Sequence, residues 1–416
     1  MPQPRNAEAE SARPLPKPAP PSAALLAAVD AIARERFGAA DLQGPALQAA
    51  VARVSEDYTR QRGRIEATRG ADGPLCARLR FFLPRDLPKV QWPLWELLRA
   101  GALVPGEKLR ILDLGAGLGT SSLGAIELLA TAGLCSRFEV VAVDIDARAL
   151  ELNAALSRRY ARERGLELSL ETRTADLESF LQRQRGHYDL VLLGLLLNES
   201  TTGAGGEEAS ARAQALLGSC VSRLDEGGAV VVLEPALRET SRALQQVAEH
   251  LRHSQGPAHV FAPCLGTGAC PMLERARDYC HARLPLALPD AIAEVARGAG
   301  LRDSDLTFSY LTLRSSPGGP LGPGHQGRGY RVISGPLRSK GKLELLLCGP
   351  GPARQLRRLD RHRPRGADGL ADLGRGALVR VTAPADGVRL DVGGGASALE
   401  VVYDGAGGLP AAACDT

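Results

Sequence analysis

The sequence predicts an α/β protein: a mostly parallel sheet covered by helices, with further helices before it and a β-rich, basic region after it. Three observations predict this class. Apolar strand-like runs alternate with amphipathic helical stretches through the middle of the chain. A glycine-rich turn stands where the first of those strands passes into a helix. The last quarter breaks into short strands punctuated by Gly and Pro.

Residues 1–22 are rich in Pro and Ala and are expected to form a disordered tail. Residues 23–100 form a helical region, in which "ALLAAVDAIARERF" and "ALQAAVARVSEDYTRQRG" place apolar residues at helical spacing. The proline-broken "LRFFLPRDLPKVQWPLWELLRAG" closes that region with one more amphipathic helix. Residues 101–240 carry the alternating strands and helices, from "KLRILDLGAG" through "FEVVAVDID", "LSLETRTAD" and "YDLVLLGLLLNE" to "GAVVVLEPA". Such near-continuous apolar strands are those of a parallel sheet buried on both faces. Residues 241–350 are expected to hold a helix, a Cys-rich insertion after the fifth strand and closing strands; residues 351–416 are expected to be basic and β-rich.

Composition narrows the classes further. Of 416 residues, 44% are hydrophobic and 24% charged, as in ordinary globular chains. No run approaches the roughly 18–20 apolar residues of a membrane span, and no charged-then-apolar leader opens the chain, so no membrane partner is expected. Eight cysteines are too sparse for a disulfide scaffold, which points to a reducing cytoplasm. A monomer is expected. Between His325 and Arg380 stand 13 Lys/Arg against 4 Asp/Glu, on a chain whose total is only +4. Arg354, Arg357, Arg358, Arg361, Arg363 and Arg365 form the densest part of that segment. A basic segment on an otherwise acidic chain fits phosphate-backbone binding; the alternative is a solvated, Arg-rich loop.

"DLGAGLGT" supplies Asp113, Gly115, Gly117 and Gly119, whose bare backbone lets a ligand approach closely. The second strand ends at Asp144, where Rossmann-like folds bind ribose hydroxyls. Asp144 lies 29 residues beyond Gly115, and the third glycine of a dinucleotide fingerprint is missing. Both points favour S-adenosylmethionine over NAD. The motif resembles that of the class I S-adenosylmethionine-dependent methyltransferases. The resemblance implies that the acid after the third strand, here Asp176, meets the adenine. An acceptor would be presented at the end of the fourth strand, where Asn198 and Glu199 are the polar candidates for orienting it. No catalytic base is identifiable.

"APCLGTGACPMLERARDYCH" gathers Cys264, Cys270 and Cys280 within 17 residues. Disulfides are disfavoured by compartment, and a nucleophile needs one thiol rather than three. The gaps are less regular than the close pairs of zinc sites and suit an iron–sulfur cluster at least as well; zinc stays open as the alternative. Cys348, at the end of "KLELLLC", is the best fourth thiolate, with His281 in reserve. "APC…CP…DYCH", "FSYLTLR" and "LLLCG", downstream of "LDLGAGLGT", resemble the small-ribosomal-subunit methyltransferase-like family (Rsm-twenty-two type), over residues 80–350. The resemblance implies an S-adenosylmethionine-type domain and a 4Fe–4S cluster on Cys264, Cys270, Cys280 and Cys348. It also implies association with the small ribosomal subunit and its rRNA. Leu265 and Gly266 stand where the family usually has Pro-His, Tyr279 where Trp is common, and the Arg-rich segment replaces its Trp-Gly-Asp ending.

Overall fold

Burial on both faces is what the middle strands achieve. The computed structural model describes residues 15, 17–59, 70–184, 186–196, 206–254, 256–266, 268–322, 329–364, 369–382, 388–393 and 398–405. Strands β1 (Lys108–Leu114), β2 (Arg137–Asp144), β3 (Glu167–Thr174), β4 (Tyr188–Gly194) and β5 (Leu224–Pro235) run parallel. They are joined in one sheet by β6 (His259–Ala262), β7 (Ala282–Pro285) and β8 (Asp305–Arg314), in the order β3-β2-β1-β4-β5-β8-β6, with β7 also pairing β8. Along β1 and β5, Ile111 and Val231 enter the core on one face, while Leu112 and Val232 enter the core on the other. The alternation is the period of two expected of a strand.

Helices α1 (Ala23–Phe37), α2 (Gly44–Thr59), α3 (Asp72–Ala77), α4 (Leu83–Asp86) and α5 (Pro88–Arg99) precede the sheet. Helices α6 (Thr120–Thr131), α7 (Ala147–Arg164), α8 (Leu177–Arg183) and α9 (Gly206–Val221) connect its strands; α10 (Arg238–His253) and α11 (Asp290–Gly298) follow β5 and β7. Among the described residues no helix is long and apolar enough to cross a membrane. Residues 17–22, expected within the disordered tail, are instead tied down. The Ala19 amide donates to Gln91 at 2.8 Å, the Ser22 amide to Glu127 at 2.9 Å, and the Ser22 hydroxyl caps α1.

Two elements depart from expectation. "LTFSYLTLR", among the short strands expected late in the chain, closes the first sheet as β8, antiparallel between β5 and β6. The four-residue edge strand β6 is too short to carry a legible pattern. The cysteine stretch therefore leaves the sheet after the sixth strand, not the fifth.

The second sheet comprises β9 (Gly329–Val332), β10 (Leu337–Ser339), β11 (Lys342–Cys348), β12 (Arg354–Leu359), β13 (Leu378–Thr382), β14 (Arg389–Asp391) and β15 (Ala398–Tyr403). Its order is β14-β12-β11-β9-β13-β15, with β10 paired to β11. Leu343, Leu345 and Leu347 of β11 alternate into its core, so Cys348 is the last residue of a strand inside this sheet.

The two sheets meet at α5. Its Glu96 is fully buried and faces Arg331 of β9 at 2.6 Å. Tyr310 of β8 donates to the other Glu96 oxygen at 2.7 Å, Tyr403 of β15 donates to the first, and the Trp92 indole donates to Tyr310 at 3.3 Å. Arg331 donates further to Tyr403 at 2.6 Å, to the Gly376 carbonyl at 2.9 Å and to the Pro263 carbonyl at 3.2 Å. Removing one partner of such a pair strands the other charge in a dry interior. Glu96→Ala is expected to cost about 3–5 kcal/mol in urea unfolding, and replacing Glu96 and Arg331 together by Leu and Met to cost far less than the sum. Additive losses would contradict the coupling.

Candidate cofactor site and cysteine centre

The strand order reverses between β1 and β4, and at that switch point the carboxyl ends of parallel strands leave a crevice. The glycine loop fills its floor. Gly115, Gly117 and Gly119 have φ of +67°, +48° and +84°, the left-handed region that glycine enters without strain. A side chain at Gly119 would also collide with Asn153 of α7, whose amide would lie 2.5 Å from the added Cβ. The loop is held by its own backbone: the Ala116 amide donates to Val143 at 3.0 Å and the Gly119 amide to Ala116 at 2.7 Å.

The acids stand where the sequence expectation puts them. Asp144 ends β2 and accepts from the Gly117 amide and from the Asp146 amide, both at 2.8 Å. It thus ties the first loop to the second while keeping acceptor capacity on both oxygens. Beside it Ile145 is half-exposed, an apolar surface in a polar crevice that the sequence analysis passed over. Asp176 is exposed at the end of β3 and caps α8 through the Ser179 amide at 3.0 Å. Asp113 is buried and accepts from the Ser122 amide at 3.2 Å. Burial lifts its carboxyl from 3.8 to about 7. Asn198 and Glu199 lie outside the described residues; Leu196 before them presses its side chain against Gly115.

The four predicted cysteines are brought together. Cys264, Cys270, Cys280 and Cys348 line one cavity of about 50 Å³, with His281 and Arg331 in its wall. Residues 263–281 hold no helix or strand among those described, so their order is borrowed from α10. Arg242 donates to the carbonyls of Met272, Leu273, Arg275 and Asp278 at 2.7–3.2 Å. Gln245 donates to Cys280 at 3.0 Å, Glu249 accepts from the Cys270 amide at 3.0 Å, and Arg252 donates to Gly268 at 3.2 Å. Spacings of three, four and three residues put these side chains on one helix face. The sequence analysis missed that stripe, although its period was there to read.

Cys348 meets the segment from the other sheet. It is the register partner of Arg331, and a Cβ on Gly266 would come 2.5 Å from the Gly349 carbonyl. Only glycine permits that approach. Burial raises the Cys270 thiol, pushes Cys280 to about 12 and lifts Cys348 strongly, with the neighbouring thiols adding to all three. The His281 imidazole is pulled down to about 4 by burial and by Arg375. Among the described residues no three His, Cys, Asp or Glu side chains are placed to share one metal ion.

The arginines of the basic segment do not share a face. Arg357 is paired with Asp391 at 2.6 and 2.8 Å, and Arg358, next along β12, is buried. Arg354 is half-buried; Arg361 and Arg363 are exposed at the turn after β12; Arg365 lies outside the described residues. That turn is joined to Gly341 by the Asp360 amide at 2.9 Å, and Arg338 and Lys340 before Gly341 are exposed as well.

A parallel five-strand core closed by an antiparallel strand next to the edge, with a glycine loop at its switch point, is the class I methyltransferase fold. The model of the family described as "Mitochondrial small ribosomal subunit Rsm22" matches residues 104–364, and the chain belongs to that family. Comparison with curated proteins finds no match. Among solved structures, a precorrin-6y C5,15-methyltransferase from Geobacter metallireducens is 15% identical, covering 54% of this chain and 88% of its own, with a TM-score of 0.29. An rRNA methylase from Streptococcus thermophilus is 14% identical over 54% of this chain and 95% of its own, with a TM-score of 0.28.

Asp113 yields a pH signature. Its folded-state carboxyl holds its proton up to about pH 7, whereas the unfolded one releases it near 3.8. Stability is therefore full below the lower value and is lost as pH rises through the upper one. The urea midpoint of the wild type should fall relative to that of Asp113→Asn between pH 4 and 7 and run parallel above. Parallel curves throughout would show that Asp113 is ionised in the fold.

Proposed function

We propose that the protein is an S-adenosylmethionine-binding, methyltransferase-like factor of the small ribosomal subunit that contacts rRNA through its second sheet. The observation that carries the reading is Asp144, held at the mouth of the glycine loop with lone pairs to spare for ribose hydroxyls. Ile145 then offers the adenine an apolar face, and Asp176 an acceptor at the end of β3. The family supports the ribosomal partner.

The second part of the proposal is a 4Fe–4S cluster on Cys264, Cys270, Cys280 and Cys348. The donor set fits: three thiols of the segment after β6 and the one that ends β11 line one cavity, and each is soft and free of disulfide. A zinc ion needs its ligands around one point, at about 2.3 Å each, whereas a cluster of four irons takes one thiolate at each corner. Four thiols lining a common cavity support the cluster, with zinc as the alternative. Bound, the group would supply a covalent crosslink between the segment after β6 and the strand ending at Cys348. The chain's own residues do the rest: α10 shapes the segment, and Arg331 anchors it to α5.

A non-catalytic variant of this reading is favoured by one observation, the apolar end of β4, where Leu196 lies against Gly115. It keeps the ribosomal role and drops methyl transfer.

For RNA, exposed Arg361 and Arg363 are the contacts and buried Arg358 is a core residue. Arg361→Ala with Arg363→Ala should weaken binding to purified small subunits and reduce the salt slope by about 2, leaving thermal stability unchanged. Arg358→Ala should instead lower stability. Equal affinity for small and large subunits, or a slope untouched by the double substitution, would contradict the proposal.

A further inference from the structure

The glycine loop has a cation over it. Arg78 opens a π-helical turn, Arg78–Phe82, in which the Leu83 amide reaches back five residues to the Arg78 carbonyl. The turn stands between α3 and α4, far in sequence from the loop. Its guanidinium nevertheless lies against the bare face of Gly117: Nη2 is 2.9 Å from the point where a Cβ on Gly117 would sit, and Asp144 is 3.8 Å from the same point. Nη1 faces Asp146 at 3.4 Å, a long contact for an ion pair. The Arg78 side chain keeps 26% exposure where Asp146 keeps 6%, so a ligand can reach it from the crevice.

The charges around the loop define what this cation is for. Asp144 and Asp146 flank the same turn. They suit the sulfonium, ammonium and hydroxyl groups of S-adenosylmethionine and repel its carboxylate. Three of the loop amides, those of Ala116, Gly117 and Gly119, already donate to Val143, Asp144 and Ala116. A side-chain cation is then the strongest partner a carboxylate finds at this loop, and a guanidinium fork pairs with it in two parallel hydrogen bonds.

We infer that Arg78 is the residue that recognises the amino-acid carboxylate of the nucleoside bound at the glycine loop, an inference that rests on the S-adenosylmethionine reading above. The ligand's carboxylate takes the place beside Arg78 while Asp146 remains the cap of α7. Arg78 thereby selects the full amino acid over nucleosides that lack it.

Calorimetric titration with S-adenosylmethionine and with its decarboxylated analogue, which lacks only the carboxylate, tests this. The wild-type protein should prefer the full ligand by about tenfold to a hundredfold. Arg78→Ala should lose that factor for S-adenosylmethionine and keep the wild-type affinity for the analogue; Arg78→Lys should restore part of the preference. Asp146→Asn, which keeps the cap of α7 and removes a charge that opposes the carboxylate, should keep or enlarge the preference, whereas a merely structural Arg78–Asp146 pair predicts its loss. Retained preference in Arg78→Ala, or equal losses for both ligands, would overturn the inference while the nucleoside reading stands. A wild-type protein that binds neither ligand would overturn both.

Discussion

Arg331 is the point at which four otherwise separate parts of the chain are obliged to agree. Its buried guanidinium faces Glu96 of α5, to which Tyr310 of β8 also donates, and itself donates to Tyr403 of β15 and to the Pro263 carbonyl one residue before Cys264. A buried ion pair adds little stability of its own, because desolvation offsets its Coulombic gain. Its effect is on specificity: any packing of the second sheet that left Arg331 or Glu96 alone would cost several kcal/mol. The same residue is the register partner of Cys348. Docking of the sheets and placement of the fourth thiol are thus one event.

The cysteine segment has turns but no helix or strand of its own, and is positioned mainly from outside. Arg242 satisfies four carbonyls at once, and Gln245, Glu249 and Arg252 continue the same face of α10. Gathering thiols in an apolar cavity raises those of Cys270, Cys280 and Cys348, since burial and the neighbouring thiols both oppose the thiolate. A cationic inorganic group is what would reverse that balance. The glycine loop is organised differently, by backbone: the Ala116, Gly117 and Gly119 amides donate to Val143, Asp144 and Ala116, and charged side chains stand around it.

The parts of this architecture that were legible in the sequence are those set by local pattern. Ile111 and Leu112, or Val231 and Val232, had to be buried on opposite faces of a strand, and the glycines of "DLGAGLGT" had to turn. The cysteine triplet and Cys348 were legible as candidate thiolates, but the choice of cluster over zinc came from resemblance, because no spacing rule joins a loop to a strand of the second sheet. Other features depended on tertiary context. β6 is four residues at an edge; β8 reads like any tail strand until its partner β5 is known. The arginines of "RQLRRL" looked like one basic cluster, but a strand sends Arg357 and Arg358 to opposite faces. Arg78 gave no signal at all, since nothing in a helical run announces that it will lean over a loop 39 residues further on.

The central claim is that the joint at Arg331 closes around a cluster held by four thiolates. Anaerobic purification followed by an absorption spectrum and an assay of iron and acid-labile sulfide tests it most directly. The account predicts a brown protein with a broad band near roughly 400 nm and about four irons per chain, lost when Cys348 is replaced by Ser. A colourless protein carrying a single zinc ion, or one whose iron content is indifferent to Cys348, would contradict it.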